Sequence, residues 1–264
     1  MEVKHETSQS KKESPLLLSG MSTRVEVVSL LAGIILWEIA ARVMGLLWLP
    51  PASQVAKAVV RMIYSGEILE NLLASLGSLA LGLSIALGVG LTIGLLMGLF
   101  KLVNEVLDPY VNALLISPSL AFAPVFFALF GLARNTQVAV IVMYSMFVII
   151  VNTTTGVKLA DQRLAEMAHS FGASRTQIIT RVILPAALPM IFAGLRLAVG
   201  RAVKGMINGE MFLAFVGIGA LAQRYGGQMK TAEVAGIAVI ITAVALVLNW
   251  LVQNAEYKFT RWAD

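Results

Sequence analysis

Six ionisable residues stand inside or beside long apolar runs of this chain: Glu38, Arg42, Arg196, Arg201, Lys204 and Glu210. Charge placed in hydrocarbon is costly, so each calls for a partner, a watered path or a passing ion. Glu38 and Arg42 are four apart with the acid first, the order that pairs along one helix face. They are expected to neutralise each other. Arg201 and Lys204 are three apart and share a helical face, where two unpaired cations repel. Either Glu210, or in second place Glu38, neutralises them, or they line a wet path whose solute is an anion. In that second arrangement the pathway residues are Lys204, Arg201 and Glu210, with Lys204 the foremost contact.

Catalytic chemistry finds no support in the residue pattern. No G-x-x-x-x-G-K-[ST] run exists to cradle nucleotide phosphates, and no nucleophile elbow or zinc-protease motif is present. The two histidines, His5 and His169, are far apart and lack ligand-like neighbours, so no metal site is expected. Cysteine is absent, which removes disulfides and thiolate sites. The chain is read as a non-enzyme that binds no cofactor, metal or nucleic acid of its own.

The elements that must position the charges are membrane helices. Hydrophobic residues make up 58% of the chain and charged residues 13%, with a mean hydropathy of +0.83. Those values belong to an integral membrane protein. At 264 residues the chain can hold one all-α bundle of roughly five to seven spans. Residues 1–24 are polar and carry Lys4, Lys11, Lys12 and Arg24, so they read as a disordered cytoplasmic tail before a transmembrane domain at 25–264. The first apolar run is Val27 to Leu49; its uncharged core, Val27 to Trp37 before Ala40-Ala41, could also be that of a cleaved signal peptide, and it is read as a retained span.

Five further spans are expected. Asn71 to Phe100 is uncharged and punctuated by Gly77, Gly82, Gly88, Gly90, Gly94 and Gly98, spacings that let helices approach closely. Pro109, Pro118 and Pro124 divide the next run into a short helix and a late-starting span near Ser119 to Leu132. The others run from Thr136 to Thr155, from Pro185 to Phe212 and from Val234 to Asn254. Phe122, Phe126, Phe127, Phe130, Met143 and Met146 read as packing. Basic residues concentrate in the tail, in the loop holding Lys158, Arg163, Arg175 and Arg181, and at the C-terminus. Six spans put all three, with Lys101, on the cytoplasmic side, against Lys57, Arg61, Arg134, Arg224 and Lys230 outside.

The loop between the fourth and fifth spans has its own periodicity. Leu164, Met167, Ala168 and Phe171 fall on one face of a short helix that begins near Asp161. Gly172 suits a left-handed cap at its end. Ser174 then opens a second helix, with Gln177 three residues on to complete a capping box, and Ile178, Ile179, Val182 and Ile183 form its apolar face. Two helices meeting at a glycine corner suit docking into a partner's groove, and equally a position on the bilayer surface.

Glu166-Met167-Ala168, then Gly172, then Val182-Ile183-Leu184-Pro185 resembles the EAA loop of ATP-binding-cassette importer permeases. Leu49-Pro50-Pro51-Ala52-Ser53-Gln54-Val55, Ser75-Leu76, Pro118 to Gly131, Asn152-Thr153 with Gly156, Gly194-Leu195-Arg196 and Glu210-Met211 are similar to the nitrate, sulfonate, taurine and bicarbonate branch of that family. Met167 replaces the first alanine of the signature, and Ser78 stands where the branch often has arginine. The resemblance implies the type I importer permease fold, with coupling helices at 161–184. It implies ATPase coupling through Glu166, Met167, Ala168, Phe171, Gly172, Ala173, Ser174, Arg175, Leu184 and Pro185.

The resemblance also implies a bacterial cytoplasmic membrane, an ATPase subunit dimer that holds ATP and Mg, and an extracytoplasmic solute-binding protein. The branch carries basic residues at positions 196 and 201, which favours structural roles there and leaves Lys204 as the solute contact. No three-plus-three internal repeat is evident, so a second copy or a homologous permease is expected to complete the pathway within the bilayer. The alternatives are a secondary transporter or channel, for which no coupling-ion site or filter is visible, and a membrane scaffold.

Overall fold

The computed structural model describes residues 15–260, apart from 132, 161, 214 and 215. In chain order, α1 (Pro15–Met44) leads through α2 (Ala52–Tyr64) to α3 (Glu67–Leu99). α4 (Lys101–Ile116) is followed by a 3-10 turn, Ser119–Phe122, and α5 (Ala123–Phe130). Then come α6 (Arg134–Leu159), α7 (Gln162–Ser170), α8 (Arg175–Ile178), α9 (Leu184–Leu213), α10 (Ile218–Gly227) and α11 (Thr231–Thr260). The described residues form helices and connecting turns only, the all-α class expected.

Close approach of backbones places α6 at the centre. A Cβ on Gly82 would lie 2.6 Å from Ile141, and one on Gly94 2.6 Å from Thr153. Gly90 meets Ile149 and Gly98 meets Val157 in the same way. The four glycines share one face of α3, and each partner lies the same distance further along the chain. α3 and α6 therefore run parallel. On the other side Gly194 is against Asn152, Gly205 against Tyr144 and Ile141, and Gly209 against Gln137, a reversed order that makes α9 antiparallel to α6.

Parallel α3 and α6 fix the topology between them, because the chain has to recross the bundle before α6 begins. α4 and the Ser119–Phe130 segment make that crossing as a pair bent by 98°. Pro118 accounts for the break: it cannot donate a backbone hydrogen bond, and Ser117 before it is extended at φ −57° and ψ 141°. Pro109, expected to divide the segment, lies inside an unbroken α4. With five helices long and apolar enough to span, the broken pair completes six crossings. The beginning of α1, the α3–α4 turn, α7, α8 and the end of α11 gather at one end, and α2 and α10 at the other.

Several boundaries differ from expectation, among them the end of the last span, which runs to Thr260 in α11. α1 starts at Pro15, so residues 15–24 are helix rather than tail, while 1–14 and 261–264 lie outside the described residues. Proline suits the first turn of a helix, and Pro15 stands there. α1 also ends at Met44 instead of Leu49, where Gly45 at φ +59° turns the chain toward α2. Finally, α2 and α10 are helices where loops were expected. α2 buries Val55, Ala58 and Met62, and its Arg61 pairs with Glu233 of α11 at 2.8 Å.

Overpacking tests the central register. Gly94→Val is expected to destabilise the protein by about 1–3 kcal/mol. Gly88→Ala, which meets open space, should be neutral or slightly stabilising. Thermal unfolding in detergent measures both.

Candidate functional site: a coupling elbow and a cationic helix face

The loop after α6 folds into an elbow. α7 ends in a Schellman arrangement: the Gly172 N–H donates to the His169 carbonyl at 2.9 Å and the Ala173 N–H to the Ala168 carbonyl at 3.0 Å. Gly172 sits at φ +82°, where a side chain is strained. The capping box forms as expected, with Gln177 N–H donating to Ser174 Oγ at 3.3 Å and Ser174 N–H to Gln177 Oε1 at 2.8 Å. α8 then passes through a π-helical turn, Ile179–Ile183, directly into Leu184 and Pro185 at the start of α9. The second arm of the elbow is thus one piece with a central helix.

The apolar face of α7 is uncovered among the described residues. Leu164 and Met167 are exposed and Phe171 is 85% exposed, with Glu166 exposed beside them and Ala168 half-buried. A second tie holds the elbow to the α3–α4 turn: the Arg175 guanidinium lies 5.6 Å from the centre of the Phe100 ring. Nearby, Lys158 Nζ donates to Asn104 Oδ1 at 2.7 Å.

The two acids Glu38 and Glu210 share a job that was not expected of them. Glu38 pairs with Arg42 at 2.6 Å, as its spacing requires, and also accepts from the Ser53 N–H at 3.0 Å in the first turn of α2. Glu210 is 1% exposed and accepts from Gln137 Nε2 at 2.6 Å and from the Gly219 N–H at 2.7 Å in the first turn of α10. The neighbouring donors of α10 are met as well: Ile218 N–H donates to Ser75 Oγ at 2.9 Å and Gly217 N–H to Asn71 Oδ1 at 3.2 Å. Each acid anchors the positive end of a short helix that lies across the end of the bundle.

Glu210 therefore makes no ion pair with Arg201 or Lys204 and is buried against α6 and α10. Helical spacing explains why: nine residues from Arg201 is about 180° around the axis. Arg196 pairs with Glu256 of α11, a residue beyond the expected end of the last span. Arg201 and Lys204 are left exposed on α9 in a stripe with Leu197 and Met211. Among the described residues neither has an ion-pair partner. Asn208 on the same side donates to the Tyr144 hydroxyl at 2.9 Å.

Two further contacts were not foreseen from sequence. Arg134 Nε donates to Ser78 Oγ at 3.2 Å, so the first residue of α6 brings a guanidinium to the position where an arginine side chain was missing. Tyr225 of α10 donates to Glu67 Oε2 at 2.6 Å, and burial together with that carboxylate pushes its phenol up to about 12. It stays a donor throughout the physiological range.

This geometry belongs to a membrane transport permease. Residues 90–261 match the family model described as the binding-protein-dependent transport system inner membrane component, and the chain belongs to that family. The taurine transport system permease protein TauC of Escherichia coli K12 is 31% identical over 233 residues, 86% of this chain and 84% of TauC. The putative aliphatic sulfonates transport permease protein SsuC of the same organism is 34% identical over 229 residues, covering 86% and 87% of the two chains. Among solved structures, a chain from the crystal structure of an amino acid ABC transporter with histidines shares the fold, with a TM-score of 0.57 and 19% identity over 76% of this chain and 96% of that one. The chain is a multi-pass ABC importer permease.

The α10 cap generates a test. Glu210→Ala strands two buried donors, each at a cost of about 1–3 kcal/mol. It is expected to lower the melting temperature and to speed deuterium exchange of the amides at 217–222 relative to those of α6. Unaltered exchange at 217–222 would contradict the cap.

Proposed function

We propose that the exposed face of α7 seats in a groove of an ATPase subunit on the cytoplasmic side, and that the elbow transmits the movement of that subunit to α9. The observation that carries this reading is continuity: the capped corner at Gly172 and Ser174 leads without a break through Leu184 into the helix bearing Arg201 and Lys204. Exposed Leu164, Met167 and Phe171 supply the apolar contact, with Glu166, Ala168, Ala173 and Arg175 around it. ATP and Mg are held by that partner. An extracytoplasmic binding protein delivers the solute at the α2 and α10 end, and both termini face the cytoplasm.

The solute in this reading is a small anion. Two cations without counter-ions on one helix face are tolerable where water and a passing negative charge compensate them. Taurine and aliphatic sulfonates, for which two relatives are named, share an anionic sulfonate group, in keeping with that reading. A second permease copy, or a homologous one, closes the path over this face.

Three measurements test the reading. In the reconstituted complex, Gly172→Val should abolish solute-stimulated ATPase activity while insertion is retained. Ser174→Ala should weaken coupling by no more than the roughly 1 kcal/mol of a lost cap. Full stimulated activity in Gly172→Val would refute the lever. Lys204→Gln should lower transport with basal ATPase intact, and Lys204→Glu should lower it further; unchanged transport in both removes Lys204 from the path. A cysteine introduced at Ser8, in a chain with no native cysteine, should escape an impermeant reagent in intact cells.

A further inference from the structure

On the exposed face of α9 three polar side chains stand close together. Asn208 follows Arg201 by seven residues and Lys204 by four, so all three lie within roughly 60° around the helix axis. Lys204 and Asn208 are one turn apart, with about 5–6 Å between their Cβ atoms. Neither cation has an ion-pair partner among the described residues, and Asn208 is half-buried beside them.

Tyr144 reaches this face from α6. A Cβ on Gly205 would lie 3.0 Å from Cβ and Cγ of Tyr144, so the missing side chain at 205 lets the ring lie against α9. The far end of the ring arrives at Asn208, whose Nδ2 donates to the phenol oxygen at 2.9 Å. A tyrosine hydroxyl has one hydrogen to give as well as lone pairs that receive. With the amide donating, that hydrogen is left for another acceptor, and among the described residues no hydrogen bond uses it. Tyr144 and Asn208 are both half-buried, so the pair borders the exposed cations instead of lying in the core.

We infer that Tyr144 is a third solute contact: its O–H, aimed by Asn208, donates to the charged group that Lys204 and Arg201 attract. This rests on the reading of those two cations as anion contacts. A lysine ammonium is a point charge on a flexible stem, which draws an anion without fixing its place. The phenol is held at both ends, by packing on Gly205 and by the Asn208 amide, so it sets where the anion comes to rest. Asn208 is a positioning residue that acts through the phenol. Because glycine contacts hold α9 against α6, this donor and Lys204 keep their spacing when the two helices move together.

The test is equilibrium binding of radiolabelled methanesulfonate to the full-length permease in its complex with the ATPase, in nanodiscs, with the melting temperature of each variant measured alongside. Tyr144→Phe keeps the ring against Gly205 and removes only the O–H. It is expected to weaken binding by about tenfold to a hundredfold, the range for a hydrogen bond to a charged group. Asn208→Ala should weaken binding by less, and should add nothing in the Tyr144→Phe background, since its effect passes through the hydroxyl. A difluorotyrosine placed at 144 supplies a signature that packing alone does not produce: saturating methanesulfonate should move its phenolate absorbance to higher pH, because a bound anion opposes loss of that proton. If Tyr144→Phe binds as the wild type does while Lys204→Gln binds weakly, the inference is overturned and the anion reading stands. If Lys204→Gln changes nothing, the anion reading fails and takes the inference with it. Additive losses in the double variant overturn the positioning role of Asn208. Should Tyr144→Phe lower the melting temperature, the fluorinated residue decides, and a phenolate transition that the anion does not move overturns the contact. A wild-type complex that does not hold methanesulfonate also overturns it.

Discussion

Lipid gives helices no hydrophobic reason to associate, so packing at close range has to bring them together. Here the surface that permits it is a pair of small-residue stripes, one on α3 and one on α9, closing on α6 from both sides. The β-branched side chains of Ile141, Ile149, Thr153 and Val157 fill the space above Gly82, Gly90, Gly94 and Gly98, and Ala198 and Ala202 are wholly buried on the α9 side. The direction of every other element follows. Parallel α3 and α6 oblige the segment between them to recross the membrane, and antiparallel α9 returns the chain from the elbow.

Against that frame the charges separate by role. Glu38 and Glu210 project from spanning helices to the first turns of α2 and α10, each taking the second backbone donor of a short helix. A carboxylate in the bundle is compensated there by a helix terminus and polar side chains, with a cation in only one of the two cases. Arg196 is compensated by Glu256. Among the described residues, Arg201 and Lys204 on α9 have no ion-pair partner. The asymmetry is informative because the same helix finds partners for its other charges.

How much of this the sequence disclosed depends on the range of each interaction. Local devices were legible: the Ser174 and Gln177 box, the Gly172 corner and the Glu38 and Arg42 pair all close within four residues. The six crossings and the break near Pro118 followed from apolar run length and proline chemistry. Partners distant in sequence were not legible. Nothing in Glu210 alone points to Gln137 or Gly219, and the last span was closed too early to include Glu256. One miss was avoidable, since helical spacing by itself sets Glu210 on the far side of α9 from Arg201. The glycine stripe announced a close neighbour without saying which helix it was. α2 and α10 read as loops because one polar face on a short segment breaks the long apolar signal that marks a span.

The same frame bears on the proposed lever, in which an elbow at one end acts on the middle of the membrane. A loop that merely connected α6 to α9 would absorb displacement in its own torsions. This one is closed by backbone bonds at Gly172 and Ala173, capped at Ser174 and fused to α9, so rotation of α7 is resisted at each joint. α9 in turn cannot tilt freely, because Gly194, Gly205 and Gly209 hold it against α6 along its length. Movement is therefore easiest as a rigid shift of α3, α6 and α9 together relative to elements joined to them more loosely. The Ser119–Phe130 segment is such an element, set off by the Pro118 break and standing across a cavity from Gly209 and Phe212. In the proposed mechanism, a displacement at the elbow is therefore passed to the contact between α5 and the C-terminal part of α9.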